Sequence, residues 1–393
     1  MSFPDGDDIG ARIRAQRRLA GLSQRELAAR LPYSYSLLNQ VECGSKPATA
    51  DFVSAVARGL RIDATALTGL LPDVAGTHHR LGSLVSPIRE ALDQYDLGPV
   101  PDFTTRPVAV LVAEADRVCR QVRATHLRKA GEALPGLVME LTHTVWTAPS
   151  TPVWQALASA YRTAADIALK LGFPDLSRLA LDRMHWAAER ASDPCLAALR
   201  QYKRGLLHKG GSHGIGLLLI ADGHRLLAGE TSREALVVAG QLHLGASALA
   251  ARAEDGGSVD RHISAARELA DRVGGEAPEV HWLSFGRRNA DMHEFGAHVT
   301  MRQYDDAFAK ARKLKPPAST LTSRRARFLV DRARVEMETG HPDASLKHLS
   351  EARRAAPEQT RYHPGTRETV TGLVHLSRRS PETLARMAKW IGL

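Results

Sequence analysis

Between Asp8 and Leu71, apolar residues recur every three or four positions in five short runs, the signature of short amphipathic helices. Ile9 and Ile13 mark the buried side of the first, which stops near Gly21. Ser23 and Glu26 have the S-x-x-E spacing of a capping box, in which hydroxyl and carboxylate each satisfy an orphan amide at a helix start. Leu27, Ala28 and Leu31 then form the buried side of a second helix, and Pro32 and Tyr33 make a turn. Ser34 is placed to cap a third helix, Phe52, Val56 and Leu60 stripe a fourth, and Asp63 starts a fifth that ends by Pro72. On a wheel of ~100° per residue, the third helix puts Leu37, Leu38 and Val41 on one side. Tyr35, Ser36, Asn39 and Gln40 fall nearly opposite. A solvated face more often carries Lys and Glu. Short uncharged groups suit base edges, where Asn and Gln pair bidentately with adenine and Ser with several bases.

The periodicity lapses over 72–80 (PDVAGTHHR), resumes over 81–96, breaks at GPVPDFTTRP and runs on to about 147. After PSTP at 149–152 the chain reads as helix pairs, with no strand pattern. One unit carries Gly340, Ser345, Leu349, Ala352 and Pro357, with Leu329 and Ala333 on its first helix. Gly172, Ser177, Leu181 and Met184, preceded by Tyr161 and Ala165, repeat the scheme. Tyr304, Ala307, Ala311 and Leu314 give a third copy, and turns at 209–211 and 255–257 separate further units. Small residues at these offsets let paired helices approach closely, and each pair buries its apolar side only by stacking on the next. The expected fold is all-α: a five-helix head over 1–71, a linker and helical connector over 72–152, and a helical-repeat domain over 153–393.

Charge changes this picture only through its location. The net charge is +10, but residues 1–70 hold nine Lys/Arg against seven Asp/Glu, whereas 305–379 hold sixteen against nine. Three cysteines, Cys43, Cys119 and Cys195, form no CxxC and fit a reducing cytoplasm. No signal-peptide core opens the chain, and no apolar run approaches the ~20 residues of a membrane span. A cytosolic protein without a membrane partner is expected. Enzyme chemistry finds no foothold, and no catalytic residue, metal site or cofactor is assigned. HEFGAH (293–298) sets its histidines five positions apart, ~140° around a helix, unlike H-E-x-x-H. Gly211, Gly214 and Gly216 follow no strand and precede no G-K-[ST].

Over residues 8–71 the sequence resembles the Cro/CI-type, or XRE-family, helix-turn-helix domain. The resemblance rests on IRAQRRLAGLSQRELAARL, on Ser34 to Gly44 with VECG at its end, and on Pro47 and Phe52. It implies binding of a double-stranded DNA operator. Gln24 would touch a phosphate and brace the third helix; Ser34, Tyr35, Ser36, Asn39 and Gln40 would form its DNA side; Ser45 and Lys46 would meet the backbone. Arg17 and Glu42 stand where that family forms an internal ion pair. Two positions depart from the pattern: Pro32 replaces the usual turn glycine, and Cys43 is unusual.

The helix pairs resemble tetratricopeptide repeats. Cro/CI heads joined to such arrays resemble actinobacterial regulators and Gram-positive peptide-pheromone receptors. In the latter the concave side of the array binds a short peptide through a ladder of asparagines, whereas this chain has only Asn39 and Asn289. The inner-helix positions offer Arg162, Gln201, His243, Asn289, Arg327 and Arg334, a polar and cationic set. Such a set suits an anionic small molecule, a peptide carboxylate or an acidic protein surface. The expected function is ligand-modulated operator binding by a homodimer. The alternative is a DNA-tethered scaffold whose repeats hold a fixed protein partner.

Overall fold

The N-terminal unit, within residues 1–80, is built from α1 (Gly6–Leu19), α2 (Gln24–Ala28), α3 (Tyr35–Glu42) and α4 (Ala50–Leu60). The computed structural model describes residues 6–20, 22–60, 62, 67, 81–208, 212–316, 320–376 and 382–392. The sequence-expected linker at 72–80 and the turn at 209–211 lie outside these residues, as does all of the fifth helix except Leu67. Ile9, Ile13, Leu27, Leu38, Val41, Phe52, Val56 and Leu67 share one core. Both bonds of the capping box form: Ser23 Oγ accepts from the Glu26 amide at 3.2 Å, and Glu26 accepts from the Ser23 amide at 2.7 Å. Ser34 Oγ accepts from the Leu37 amide, starting α3. Gly44, at φ +75°, ends it, with its amide on Val41 O and that of Ser45 on Gln40 O.

The turn between α2 and α3 uses no left-handed residue among those described, so Pro32 fits without strain. Tyr33 instead packs its ring on Phe52, 5.1 Å between centroids. Gly10 permits the closest approach in the head. A methyl group there would meet Val41 O at 2.0 Å, so α1 crosses α3 only because the residue is glycine.

Residues 81–393 form a second unit. It opens with α5 (Val85–Asp93), α6 (Val108–Arg123) and α7 (Leu127–Thr147). Five helix hairpins follow: α8 (Thr151–Lys170) with α9 (Pro174–Ala191), α10 (Pro194–Leu207) with α11 (His213–Leu226), α12 (Arg233–Arg252) with α13 (Gly256–Val273), α14 (Arg287–Thr300) with α15 (Tyr304–Lys313), and α16 (Thr322–Glu338) with α17 (Pro342–Ala355). The first helix of each hairpin packs on the first helix of the next, from α6 through α16, which is the stacking a helical solenoid needs. α18 (Pro357–Tyr362), α19 (Pro364–Leu376) and α20 (Glu382–Ile391) close the chain. Among the described residues there is no strand, only one isolated bridge between Ala277 and Phe285.

The repeat anchors occupy the hairpin contacts. Gly172 and Gly340 turn at φ +89° and +79°, and Ser177, Leu181, Ser345, Leu349 and Ala352 are buried. Ser345 Oγ donates to Ala333 O at 2.6 Å, which holds α17 tight against α16. The segment read from sequence as a connector shares this architecture: side chains of α5, α6 and α7 belong to the same apolar core as α8 through α14. One helix, Arg233–Arg252, is long and apolar enough to cross a membrane, but 72% of its apolar window is buried in this unit.

Two long-range ties close the solenoid. The loop after α13 carries Trp282, whose Nε1 donates to Asp116 at 2.7 Å, and His281, whose carbonyl accepts from Arg162 at 3.0 Å. Its Phe285 fills the space above Gly240. At the C-terminal end, Glu358 accepts from the amides of Leu127 (2.6 Å) and Arg128 (3.2 Å), and Gln359 bonds Lys170 and Ser323 O. Glu358 thus caps α7, whose own preceding residue, His126, supplies no side-chain cap. Replacing Glu358 with Ala should cost about 0.5–2 kcal/mol, the usual worth of an N-cap. Hydrogen exchange should speed up at both the start of α7 and the α18 region; unchanged exchange at α7 would show that this tie does not hold the two ends together.

Candidate nucleic-acid interface

Glu42 is fully buried at the end of α3, and everything around it is arranged to pair it. Arg17 of α1 meets both oxygens, Nε at 2.7 Å and a terminal nitrogen at 2.8 Å, and also donates to Leu22 O. Gln24 Nε2 donates to Glu42 at 2.7 Å and lies 3.3 Å from Asn39 Oδ1, while its Oε1 accepts from the Tyr35 hydroxyl at 3.3 Å. Arg14 donates to the Glu42 carbonyl at 2.9 Å. One carboxylate therefore ties together α1, the start of α2 and both ends of α3.

The sequence-expected DNA side divides in two on this geometry. Gln24 and Asn39 are half-buried and serve the brace, with the Cys43 thiol 3.7 Å from Asn39 Oδ1. Ser34 is spent on the cap, and Ser45 Oγ donates to Gln40 O at 3.0 Å, closing the α3 terminus. Tyr35, Ser36, Gln40 and Lys46 are exposed. Ser36 and Gln40, one turn apart, can reach neighbouring base edges in one groove. The Lys46 ammonium, just past the helix, suits a phosphate. Gly10 is a residue sequence reasoning missed, because its role depends on a partner helix rather than on local spacing.

The six sequence-expected ligand residues are spread over five helices, and most are buried or paired within the chain. Arg162 is buried and committed to the Cys119 thiol and His281 O. Gln201 is buried and bonded to Asp222, and Arg204 donates to it. Asn289 is buried with an unpartnered Oδ1. Arg334 pairs with Glu368 at 3.0 Å, and Arg327 pairs with Asp331 at 2.7 Å. His243 packs between His224 (4.4 Å) and His262 (5.3 Å) with tilted rings, and burial holds its imidazole down to about 4. A helical wheel gives the side of a helix but not its neighbours, and α6 and the loop after α13 cover Arg162.

Among the described residues, Asp193, Cys195 and Glu234 could bring ligand atoms to one metal ion. Each has other work. Asp193 caps α10, and Glu234 pairs with His281 at 2.6 Å. Burial and the surrounding carboxylates push the Cys195 thiol up to about 12, so it stays protonated at neutral pH.

Replacing Glu42 with Ala should destabilise the head by roughly 3–5 kcal/mol, because Arg17 is left buried and unpaired. Glu42→Gln, which keeps an acceptor for Arg17, should recover part of the loss. Amide exchange across α1 and α3 reads this directly, and wild-type protection in the Ala variant would contradict it.

Residues 8–68 match the family model described as "Helix-turn-helix domain". Over 58 residues the chain is 45% identical to an HTH-type transcriptional regulator of Mycobacterium tuberculosis strain CDC 1551, and equally to one of strain H37Rv. The matched stretch is 15% of this chain and 41% of each relative, so the chain spans less than half of their length. No solved structure matches the chain. Residues 8–68, with their capped α2, buried Arg17–Glu42 pair and uncharged outer side of α3, are a helix-turn-helix domain.

Proposed function

We propose that the protein is a sequence-specific, DNA-binding transcriptional regulator of the Cro/CI type, acting in the cytoplasm. The observation that carries this reading is the exposed pair Ser36 and Gln40 on a helix held rigidly by the Glu42 network. Rigid presentation matters because direct readout needs side chains placed against base edges without a large ordering cost. The relatives' printed names, HTH-type transcriptional regulators, support the same reading.

The protein acts as a homodimer assembled through its helical region. A head with nine basic against seven acidic residues and one recognition helix neutralises few phosphates, so a single copy binds weakly. Two heads on a two-fold-related site, with half-sites about one helical turn apart, supply the missing contacts. The stacked hairpins, tetratricopeptide-like in their anchors, hold an effector or partner that shifts the dimer between geometries of different operator affinity.

Gln40→Ala should weaken operator binding by roughly 1–3 kcal/mol and relax preference at a single base pair of each half-site. Lys46→Ala should instead weaken all sequences alike and reduce the salt slope by about one unit. Unchanged affinity and base preference in a folded Gln40→Ala head would mean that α3 is not the reader. Sedimentation at micromolar concentration should give a dimer; a monomer both free and on DNA would contradict the assembly.

A further inference from the structure

Inside the solenoid, cations gather from helices that are distant in sequence. Arg123 ends α6, Lys170 ends α8, Lys203 lies on α10, and Arg324 and Arg327 open α16. They meet because α16 returns to pack on α6, and because Gln359 ties Lys170 to Ser323 O. Asp166 lies between Arg123, at 2.5 Å, and Lys203, at 2.7 Å. Lys170 donates to the neutral Gln359 oxygen at 2.5 Å and forms no ion pair among the described residues. Arg327 has Asp331. Among the described residues the Arg324 side chain makes no hydrogen bond or ion pair, and its Nε is buried without a partner. Tyr202 sits among them, within electrostatic reach of Arg324, Arg123 and Asp166, its hydroxyl accepting from Gln241 at 2.7 Å.

Among the described residues, these five cations therefore outnumber the carboxylates within reach of them, Asp166, Asp331 and Glu368. Folding alone does not explain the surplus, because holding excess like charge together in partly desolvated positions costs free energy. Helix dipoles favour Arg123 and Lys170, both in last turns, but they oppose Arg324, which stands in the first turn of α16. Burial, with Arg123 next, holds the Lys170 ammonium down to about 7, and burial lowers Lys203 to about 8 against the pull of Asp166. Burial and the neighbouring Arg327 lower Arg324 to about 10. Water still enters, since Arg327 keeps 48% of its side chain accessible.

We infer that this interior cluster is a binding site for a compact small-molecule polyanion bearing phosphate or carboxylate groups, with Arg324 and Lys170 as its principal anion contacts. The inference rests on the effector-holding role proposed above for the repeat domain and gives that effector its chemical class. The bound anion joins α16 to α8 and α10, whose cations act on one another here. The site differs from the polar set expected from sequence, although Arg327 belongs to both and Arg162 lies within electrostatic reach of Asp166 and Lys203.

The test is calorimetric titration of the full chain with inorganic pyrophosphate and, in a separate arm, citrate. Wild type should bind at least one of the two, and the tighter one identifies phosphate or carboxylate as the natural group. Arg324→Gln should weaken binding about tenfold or more, the loss of a charge-assisted contact. Arg312→Gln, which removes an exposed cation elsewhere on the unit, should leave affinity unchanged. Without ligand, Arg324→Gln should melt at or above the wild-type temperature, because it relieves repulsion, and it should lose the ligand-induced rise in Tm. Absence of binding by either probe, or wild-type affinity in Arg324→Gln, would overturn the site. DNA binding measured on the same samples keeps the readings apart: operator binding without anion binding removes only the interior site, and anion binding without DNA binding removes only the regulator.

Discussion

The head depends on one buried carboxylate. A fully desolvated Glu42 is tolerable only when paired and hydrogen-bonded, and Arg17 and Gln24 supply both. Because these partners come from α1 and α2, satisfying Glu42 fixes where α3 lies relative to both. The outer side of α3 is then free to carry groups chosen for contact rather than for folding. Tyr35 shows the coupling most directly: it is exposed, yet its hydroxyl donates to the same Gln24 that braces Glu42. A molecule that touches Tyr35 on the outside therefore acts on the network that orients the helix.

The repeat unit obeys a different constraint. A hairpin of two helices leaves an apolar side open, so the array must continue until something closes it. Here closure comes from Trp282 on Asp116, from His281 on Arg162 and from Glu358 on the first turn of α7. Bringing α16 back to α6 also brings their basic residues together. The head therefore carries only a small share of the chain's net charge of +10, with nine basic against seven acidic residues in 1–70, while basic residues from distant helices gather inside the array. On the proposed function, that placement separates two electrostatic tasks, phosphate contact at Lys46 and anion capture around Arg324.

Most of the head was legible in the sequence because its signals are local. The S-x-x-E spacing gives a formed capping box, and VECG resolves into a core valine, the buried acid, the helix-ending residue and a left-handed glycine. Asn39 was only half legible: its place on the wheel is right, but contact with Gln24 and Cys43 turns it inward. In the repeats, the glycines and small residues of the hairpins were readable, while the partners across the solenoid were not. Arg162, Gln201 and Asn289 occupy inner helices yet are covered by neighbours that no periodicity reveals. One signal was available and missed: Asp166 stands alone among small and apolar residues in TAADIALK, and a lone acid there demands cationic partners. Arg123 and Lys203 are those partners.

The central claim is that a two-headed molecule reads DNA through the exposed side of α3. Selection of random duplex DNA by the full chain, followed by sequencing, tests it most directly. An enriched, two-fold-related motif with half-sites about one helical turn apart is expected. Recovery of DNA without an enriched motif, from protein whose α1–α3 amides remain protected, would contradict it.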